Sequence, residues 1–225
     1  MCLCVCSEYS GGCSASRAQD QRTLTLDPNT AGTHLSLSKG NRKVTCTRQV
    51  QPYPGHPDRF TNTLQVLCRE GLSGRCYWEV EWTGYVYTAV SYKDISRTET
   101  DNRFGFNNKS WSLQCYRGDY LTYKGISRRG WGDDCCLGYS DKSWCLFCSD
   151  NSYSACHNNN STTIDVPSSR PHRVGVYLDW PAGTLSFYRA SSDTLTHLIT
   201  FTSTFTEPLY PGFGVYDVGD SVSLK

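Results

Sequence analysis

Apolar and polar residues alternate with a period of two in most patterned stretches of this chain, and that is the signature of strands with one buried face. Leu35 and Leu37 alternate with serines, and Val44-Thr45-Cys46 reads as a strand partner to them. Cys76 to Trp82 (CYWEVEW) divides into two sets. Cys76, Trp78, Val80 and Trp82 form a predicted core face; Tyr77, Glu79 and Glu81 form a predicted solvent face. Tyr85 to Tyr92 is a further strand. Arg173 to Asp179 and Thr184 to Tyr188 flank the turn Pro181-Ala182-Gly183 and read as a hairpin. Leu195 to Phe205 holds one or two strands, and Leu209-Tyr210-Pro211-Gly212-Phe213 reads as a turn into a last short strand near Val215. Gln51 to Phe60 carries three prolines and is a predicted loop. Its Pro54-x-x-Pro57 spacing fits a rigid loop better than an SH3 ligand. No segment has a helical period. Many short strands joined by turn residues predict an all-β sandwich. Residues 1–21 are small and polar after the opening MCLCVC and form a predicted flexible tail, leaving 22–225 as one domain.

Composition narrows the function classes. The chain has 225 residues with 22 basic and 21 acidic side chains, for a net charge of +1. No basic stripe is present to neutralise phosphates, so nucleic acid is not the expected ligand. No apolar run approaches the roughly 20 residues that cross a bilayer as a helix. The 13 cysteines are odd in number, and Cys46, Cys76 and Cys115 lie inside alternating runs, where a free thiol packs as a small apolar residue. A reducing, cytoplasmic setting is the expectation.

The chain also repeats itself. Val90 to Arg97 (VSYKDISR) matches Leu121 to Arg128 (LTYKGISR), and Gly105 to Cys115 (GFNNKSWSLQC) matches Gly138 to Cys148 (GYSDKSWCLFC). Residues 90–120 and 121–153 are therefore two copies of one segment. Two copies are too few for a solenoid, so the expectation is a duplicated strand pair inside one sandwich. A gene model that retains two alternative segments is the other reading.

Candidate chemistry is sparse. Cys145, Cys148, Cys156 and His157, preceded by Cys135-Cys136, supply enough ligands for zinc. Cys145 and Cys148 are three apart in a strand-like run, however, and so face opposite sides. Glu79 and Glu81 imitate an acid–base pair but lie on the predicted outer face. Asp133-Asp134 is a loop pair weighed for calcium. The five histidines sit in no catalytic motif. Asn108-Lys109-Ser110 and the NNNSTT run from Asn158 contain glycosylation sequons. No enzyme activity and no cofactor are expected.

Four blocks in order resemble the PRY–SPRY domain family: Leu26-Asp27-Pro28; Leu72 to Trp82 (LSGRCYWEVEW); Val174 to Asp179 with Ala182 to Tyr188 (VGVYLD…AGTLSFY); and Leu209 to Phe213 (LYPGF). The resemblance implies a bent, concanavalin-like sandwich of two antiparallel sheets, with a PRY part over 22–75 and a SPRY part over 76–225. It also implies a non-catalytic, monomeric protein-recognition module. Such modules occur in tripartite-motif ubiquitin ligases, butyrophilins, fish NOD-like receptors and fish pore-forming toxins, so a role in innate immunity or ubiquitin ligation is implied. Family members bind partners through loops at one end of the sandwich. By that resemblance Asp94, Gln114, Tyr116 and Phe213 are expected contacts. The second copy offers Phe147 for Gln114, Ser149 for Tyr116 and Gly125 for Asp94. Two rival readings stand beside this one: a secreted or toxin-associated sandwich stapled by disulfides, and a zinc-binding module.

Overall fold

The computed structural model describes residues 20–98, 102–105, 107–116, 119–124, 144–149, 152–157, 160–165, 173–191 and 194–225. Every named element among them is a strand. In chain order these are β1 (Leu35–Ser38), β2 (Lys43–Cys46), β3 (Gln65–Leu67), β4 (Arg75–Thr83), β5 (Tyr85–Ser91), β6 (Ser110–Tyr116), β7 (Asp119–Lys124) and β8 (Trp144–Ser149). They continue with β9 (Ser152–His157), β10 (Asn160–Asp165), β11 (Arg173–Asp179), β12 (Thr184–Ala190), β13 (Leu195–Thr202), β14 (Tyr210–Val215) and β15 (Ser221–Leu224). A seven-stranded sheet runs β1-β2-β15-β4-β11-β12-β13, and a five-stranded sheet runs β3-β14-β5-β6-β7. The ladder β10-β9-β8 is also antiparallel, with β8 lying against β7.

The alternating pattern explains the sandwich. Trp78, Val80 and Trp82 of β4 meet Val174, Val176 and Leu178 of β11 and Leu185 and Phe187 of β12 on one face. Val86 and Val90 of β5, Leu113 and Cys115 of β6, and Phe213 and Val215 of β14 face them from the other sheet. Each large side chain buried here contributes about 1.5–3 kcal/mol. The hairpin expected at Pro181-Ala182-Gly183 joins β11 to β12. Leu195 to Phe205 yields one strand, β13, whose register against β12 slips at Phe187/Tyr188.

Three expectations change. Leu209–Phe213 is not a turn: Tyr210–Val215 is strand β14, held between β3 and β5. The last strand is β15, which pairs with β2 and β4. Contacts to the sandwich also begin before residue 22, inside the predicted tail. Gln21 forms a parallel bridge to Tyr77, and the Tyr177 hydroxyl donates to Asp20 at 3.2 Å. Residues 1–19 lie outside the described residues.

Arg59 explains why Gln51–Phe60 is a rigid loop. Its guanidinium donates to the carbonyls of Pro28 (2.9 Å), Ala31 (2.6 Å) and Pro54 (2.9 Å), and it stacks over Tyr53 at 4.8 Å.

The predicted solvent face of β4 is the third correction. Tyr77 and Glu79 are buried, at 2% and 8% exposure. The Tyr77 hydroxyl donates to Glu79 at 2.7 Å, and Arg173 reaches Glu79 at 3.4 Å and Glu81 at 3.5 Å. Lys225 lies 2.6 Å from Glu81. Its hydrogen bond holds the Glu81 carboxyl below the ordinary value of 4.5 against the opposing effect of burial. These hydrogen bonds and ion pairs make Glu79 and Glu81 a strut between β4, β11 and Lys225. A carboxyl depressed in the folded state stabilises above its unfolded pKa and loses that contribution as pH falls through the folded value. The gap in melting midpoint between the parent chain and Glu81→Gln should hold from neutral pH down to 4.5 and close below it. A pH series of thermal melts measures this.

Candidate partner-binding surface

The five-stranded sheet is covered on both faces. Its inner face packs on the seven-stranded sheet. Its outer face carries a second cluster of Phe60, Leu67, Ala89, Ile95 and Phe104, with Tyr210 against it. Two glycines of β14 make this second layer possible. A Cβ on Gly212 would lie 2.7 Å from the Phe104 ring, and one on Gly214 would lie 2.7 Å from the Tyr87 ring. Both aromatic rings therefore rest directly on β14 backbone, a close approach that only glycine permits. Gln65 fixes the covering segment with both ends of its amide. It donates to the Asn102 carbonyl at 2.9 Å and accepts from the Phe104 N–H at 2.8 Å.

Along the outer face the β5–β6 register sets the candidate residues in a row. Tyr85 pairs with Tyr116, Tyr87 with Gln114 and Ala89 with Ser112. Tyr216 joins this row. Its ring stacks on Tyr85 at 4.1 Å and 12°, and lies 5.1 Å from Tyr87. Asp220 braces the base of the group by accepting from the Tyr85 N–H at 3.1 Å and the Asp217 N–H at 2.8 Å. Burial and then the adjoining Tyr216 push the Tyr85 phenol up to about 12, and burial pushes Tyr87 higher still. These phenols are neutral hydroxyls at physiological pH. They suit hydrogen bonding and aromatic contact rather than nucleophilic attack.

Asp94 lies at the other end of the β5–β6 pair. Tyr85 and Ser91 bound β5, so the two ends are about 20 Å apart at ~3.3 Å per residue. There Asp94 forms an ion pair with Lys109, both side chains being exposed. The loop carrying Asp94 is pinned. Arg97 donates to the carbonyls of Ile95 (2.7 Å) and Lys93 (2.8 Å) and stacks over Phe60 at 4.6 Å. Lys93 stands 5.8 Å over the Tyr210 ring.

The structure thus gathers Gln114 and Tyr116 beside the three tyrosines and sets Asp94 at the far end of the same hairpin. Phe213 is a correction. It is 1% exposed and faces the inter-sheet core from β14, opposite Thr88 and Val66, so its side chain is not available as a contact. Tyr85, Tyr87 and Tyr216 were not singled out from the sequence. The alternation in YVYTAVSY places Tyr85 and Tyr87 on one face, but only the fold brings Tyr216 to them.

Phe147 lies on β8, opposite Ser154. The zinc candidates are divided by the β8–β9 register. Cys145 faces Cys156, whereas Cys148 faces Tyr153 and His157 faces Trp144. By register, Cys145 and Cys156 take one parity of the ladder and Cys148 and His157 the other. Cys135-Cys136, Asp133-Asp134, Asn158 and Asn159 lie outside the described residues.

Comparison with known proteins matches residues 24–72 to the PRY SPRY-associated domain and residues 75–224 to the SPRY domain. The chain belongs to the PRY–SPRY family. Stonustoxin subunit beta of Synanceia horrida is 39% identical over 202 residues, covering 89% of this chain and 24% of the relative. Tripartite motif-containing protein 16 of Mus musculus is 32% identical over 194 residues, covering 84% of this chain and 29% of the relative. The TRIM65 PSpry domain crystal structure superposes with a TM-score of 0.65 at 27% identity, covering 98% of both chains. The stonustoxin structure gives 0.62 at 31% identity, over 93% of this chain and 29% of that one. This PRY–SPRY chain spans about a quarter of the length of the toxin subunits it matches.

Two outcomes follow from the two-sided sheet. Phe213→Ala should cost about 3–5 kcal/mol of folding stability, read by denaturant unfolding, because it opens the core. Gly214→Ala should cost about 1–3 kcal/mol and change the near-ultraviolet circular dichroism, because the Tyr87 ring must leave β14.

Proposed function

We propose that this PRY–SPRY domain recognises a protein partner through the outer face of β5 and β6, and that it does no chemistry of its own. The observation that carries this reading is the half-buried Tyr85–Tyr216 stack, seated on buried Tyr87, with Tyr116 and Gln114 in register beside it. Aromatic side chains set on rigid strands bring large contact area at low entropic cost, and tyrosine is enriched among residues that dominate binding energy. Asp94 with Lys109 supplies a charged end to the surface, which suits orientation and partner choice more than affinity. The partner is a folded protein or an extended segment with apolar and hydrogen-bonding groups. The domain acts as a monomer, and its setting is cytoplasmic, within a tripartite-motif-like or NOD-like receptor-like protein of innate immunity or ubiquitin ligation. Among the described residues, Cys46, Cys68 and Cys76 are free and buried, in keeping with a reducing compartment.

The 39% identity to stonustoxin subunit beta favours a second reading, in which the domain is an assembly module of a secreted toxin-like protein. Thiol titration of the natively purified protein separates the two. Most of the 13 thiols titrate on the first reading, and most are oxidised on the second.

A partner is obtained by affinity capture and mass spectrometry, and its affinity is then measured by calorimetry. Tyr116→Ala should weaken it by more than about 1 kcal/mol, roughly fivefold or more. Asp94→Ala should weaken it less and mainly slow association. Both variants should melt close to the parent, since an exposed ion pair such as Asp94–Lys109 contributes at most about 1 kcal/mol. Unchanged affinity in both variants would remove this surface from consideration.

A further inference from the structure

The duplicated segment poses a physical puzzle that the strand registers sharpen. β6 comes from the first copy and pairs with β5; β8 comes from the second and pairs with β9. The two strands match position by position at an offset of 33 residues, since Trp111 corresponds to Trp144. In β6 the inward residues Trp111, Leu113 and Cys115 are buried in the inter-sheet core. Their counterparts are Trp144, Leu146 and Cys148, identical at all three positions. Of the outward positions, Ser110 recurs as Ser143 and the other three differ. Ser112, Gln114 and Tyr116 are replaced by Cys145, Phe147 and Ser149. The framing residues Gly105, Lys109 and Ser110 recur as Gly138, Lys142 and Ser143.

The second copy therefore carries the full inward code of β6 on a strand that does not occupy the β6 position. The strand between them shows the mismatch. Leu121 corresponds to Val90, which lies on the inward face of β5 opposite Trp111. In β7, Leu121 instead pairs with Gln114 on the outward face, and Lys124 takes the position opposite Trp111. A one-residue change of register turns over every residue of a strand, so the β7–β6 pairing is out of phase with the β5–β6 pairing that the repeat would copy.

We propose that β6 and β8 are interchangeable partners of β5. In the alternative pairing β8 docks beside β5 through Trp144, Leu146 and Cys148 and shows Cys145, Phe147 and Ser149 on the outer face in place of Ser112, Gln114 and Tyr116. The chain then carries two contact faces for one core position, one polar and tyrosine-bearing, the other bearing a phenylalanine. Selection for core packing keeps the inward triplet fixed while the outward triplet is free to change partner. This inference rests on the reading of that face as a recognition surface only for its consequence; the exchange itself concerns strand pairing.

Cys145 makes the exchange testable in the full chain. Ser112 faces Ala89 across the β5–β6 ladder, so in the alternative pairing Cys145 faces position 89. Directly opposed residues of antiparallel strands have Cα atoms about 4.5–5.5 Å apart, inside the range a disulfide spans. The Ala89→Cys chain is incubated with glutathione disulfide. Each pair of thiols that closes forms one disulfide bond and reduces one glutathione disulfide to two glutathiones. Peptide mapping should find position 89 linked to Cys145, accumulating with time as the exchanged form is trapped. The control chain Ala89→Cys/Ser112→Cys/Cys145→Ser should close its own 89–112 link. If the control closes and no link to Cys145 forms, the exchange is overturned.

A second readout needs no oxidation. Trp111→Ala and Trp144→Ala should each shift the melting midpoint by only a few degrees, because the other copy takes the core position. The double variant should fall by on the order of 10 °C. A full loss from Trp111→Ala alone, with nothing added by Trp144→Ala, overturns the exchange as well. Neither experiment contains a partner. Their failure removes the exchange and leaves the surface standing, whereas unchanged affinity in Asp94→Ala and Tyr116→Ala removes the surface and leaves the exchange.

Discussion

The close approach of two aromatic rings to the backbone of β14 is the contact on which the outer surface depends. Phe104 lies over Gly212 and Tyr87 lies over Gly214, each where a methyl group would collide. Those two bare positions let the five-stranded sheet be covered on both sides. The inner face buries the inter-sheet core, and the outer face seats the 102–105 segment, the Arg97-pinned loop and the tyrosine group. Side chains at both glycine positions would lift this second layer, leaving Gln65 without its two backbone partners. The seating of this outer layer is therefore set by a strand whose sequence, YPGFGV, has poor strand propensity.

Burial also assigns the chemistry. Tyr85 and Tyr87 are held neutral by removal from water and by the adjoining Tyr216. Glu81 is held charged by Lys225, with Arg173 beside it. Neither group is poised to exchange protons near neutral pH, and each is instead fixed in one state. A surface of fixed donors, acceptors and rings is suited to recognition, in agreement with membership of a family of protein-interaction domains. The same domain is shared by tripartite-motif proteins and by toxin subunits of which it forms about a quarter. The fold thus recurs in proteins of different kinds. The two copies inside this chain keep Trp-x-Leu-x-Cys and change the intervening residues.

The sequence by itself determined the sandwich, because period-two alternation in CYWEVEW, YVYTAVSY and VGVYLD states which residues enter the core and needs no knowledge of distant neighbours. It also determined the family, through blocks that are local in the chain, and it placed Gln114 and Tyr116 on one edge of the duplicated segment. What it misjudged depended on contacts between distant parts of the chain. Tyr77 and Glu79 alternate as a solvent face does, yet they are buried, beside Arg173 and the C-terminal Lys225. Phe213 looks like a loop residue because proline and glycines surround it. It is a core residue because the strand it belongs to is inserted between β3 and β5, and pairing supplies the order that local propensity lacks. The gathering of Tyr216 onto Tyr85 and Tyr87, and the choice of β6 over β8 beside β5, were likewise left to tertiary structure. Alternation fixes which face a residue takes within its strand. Only the assembled sheets fix which strand lies next to which, and so which residues share a surface.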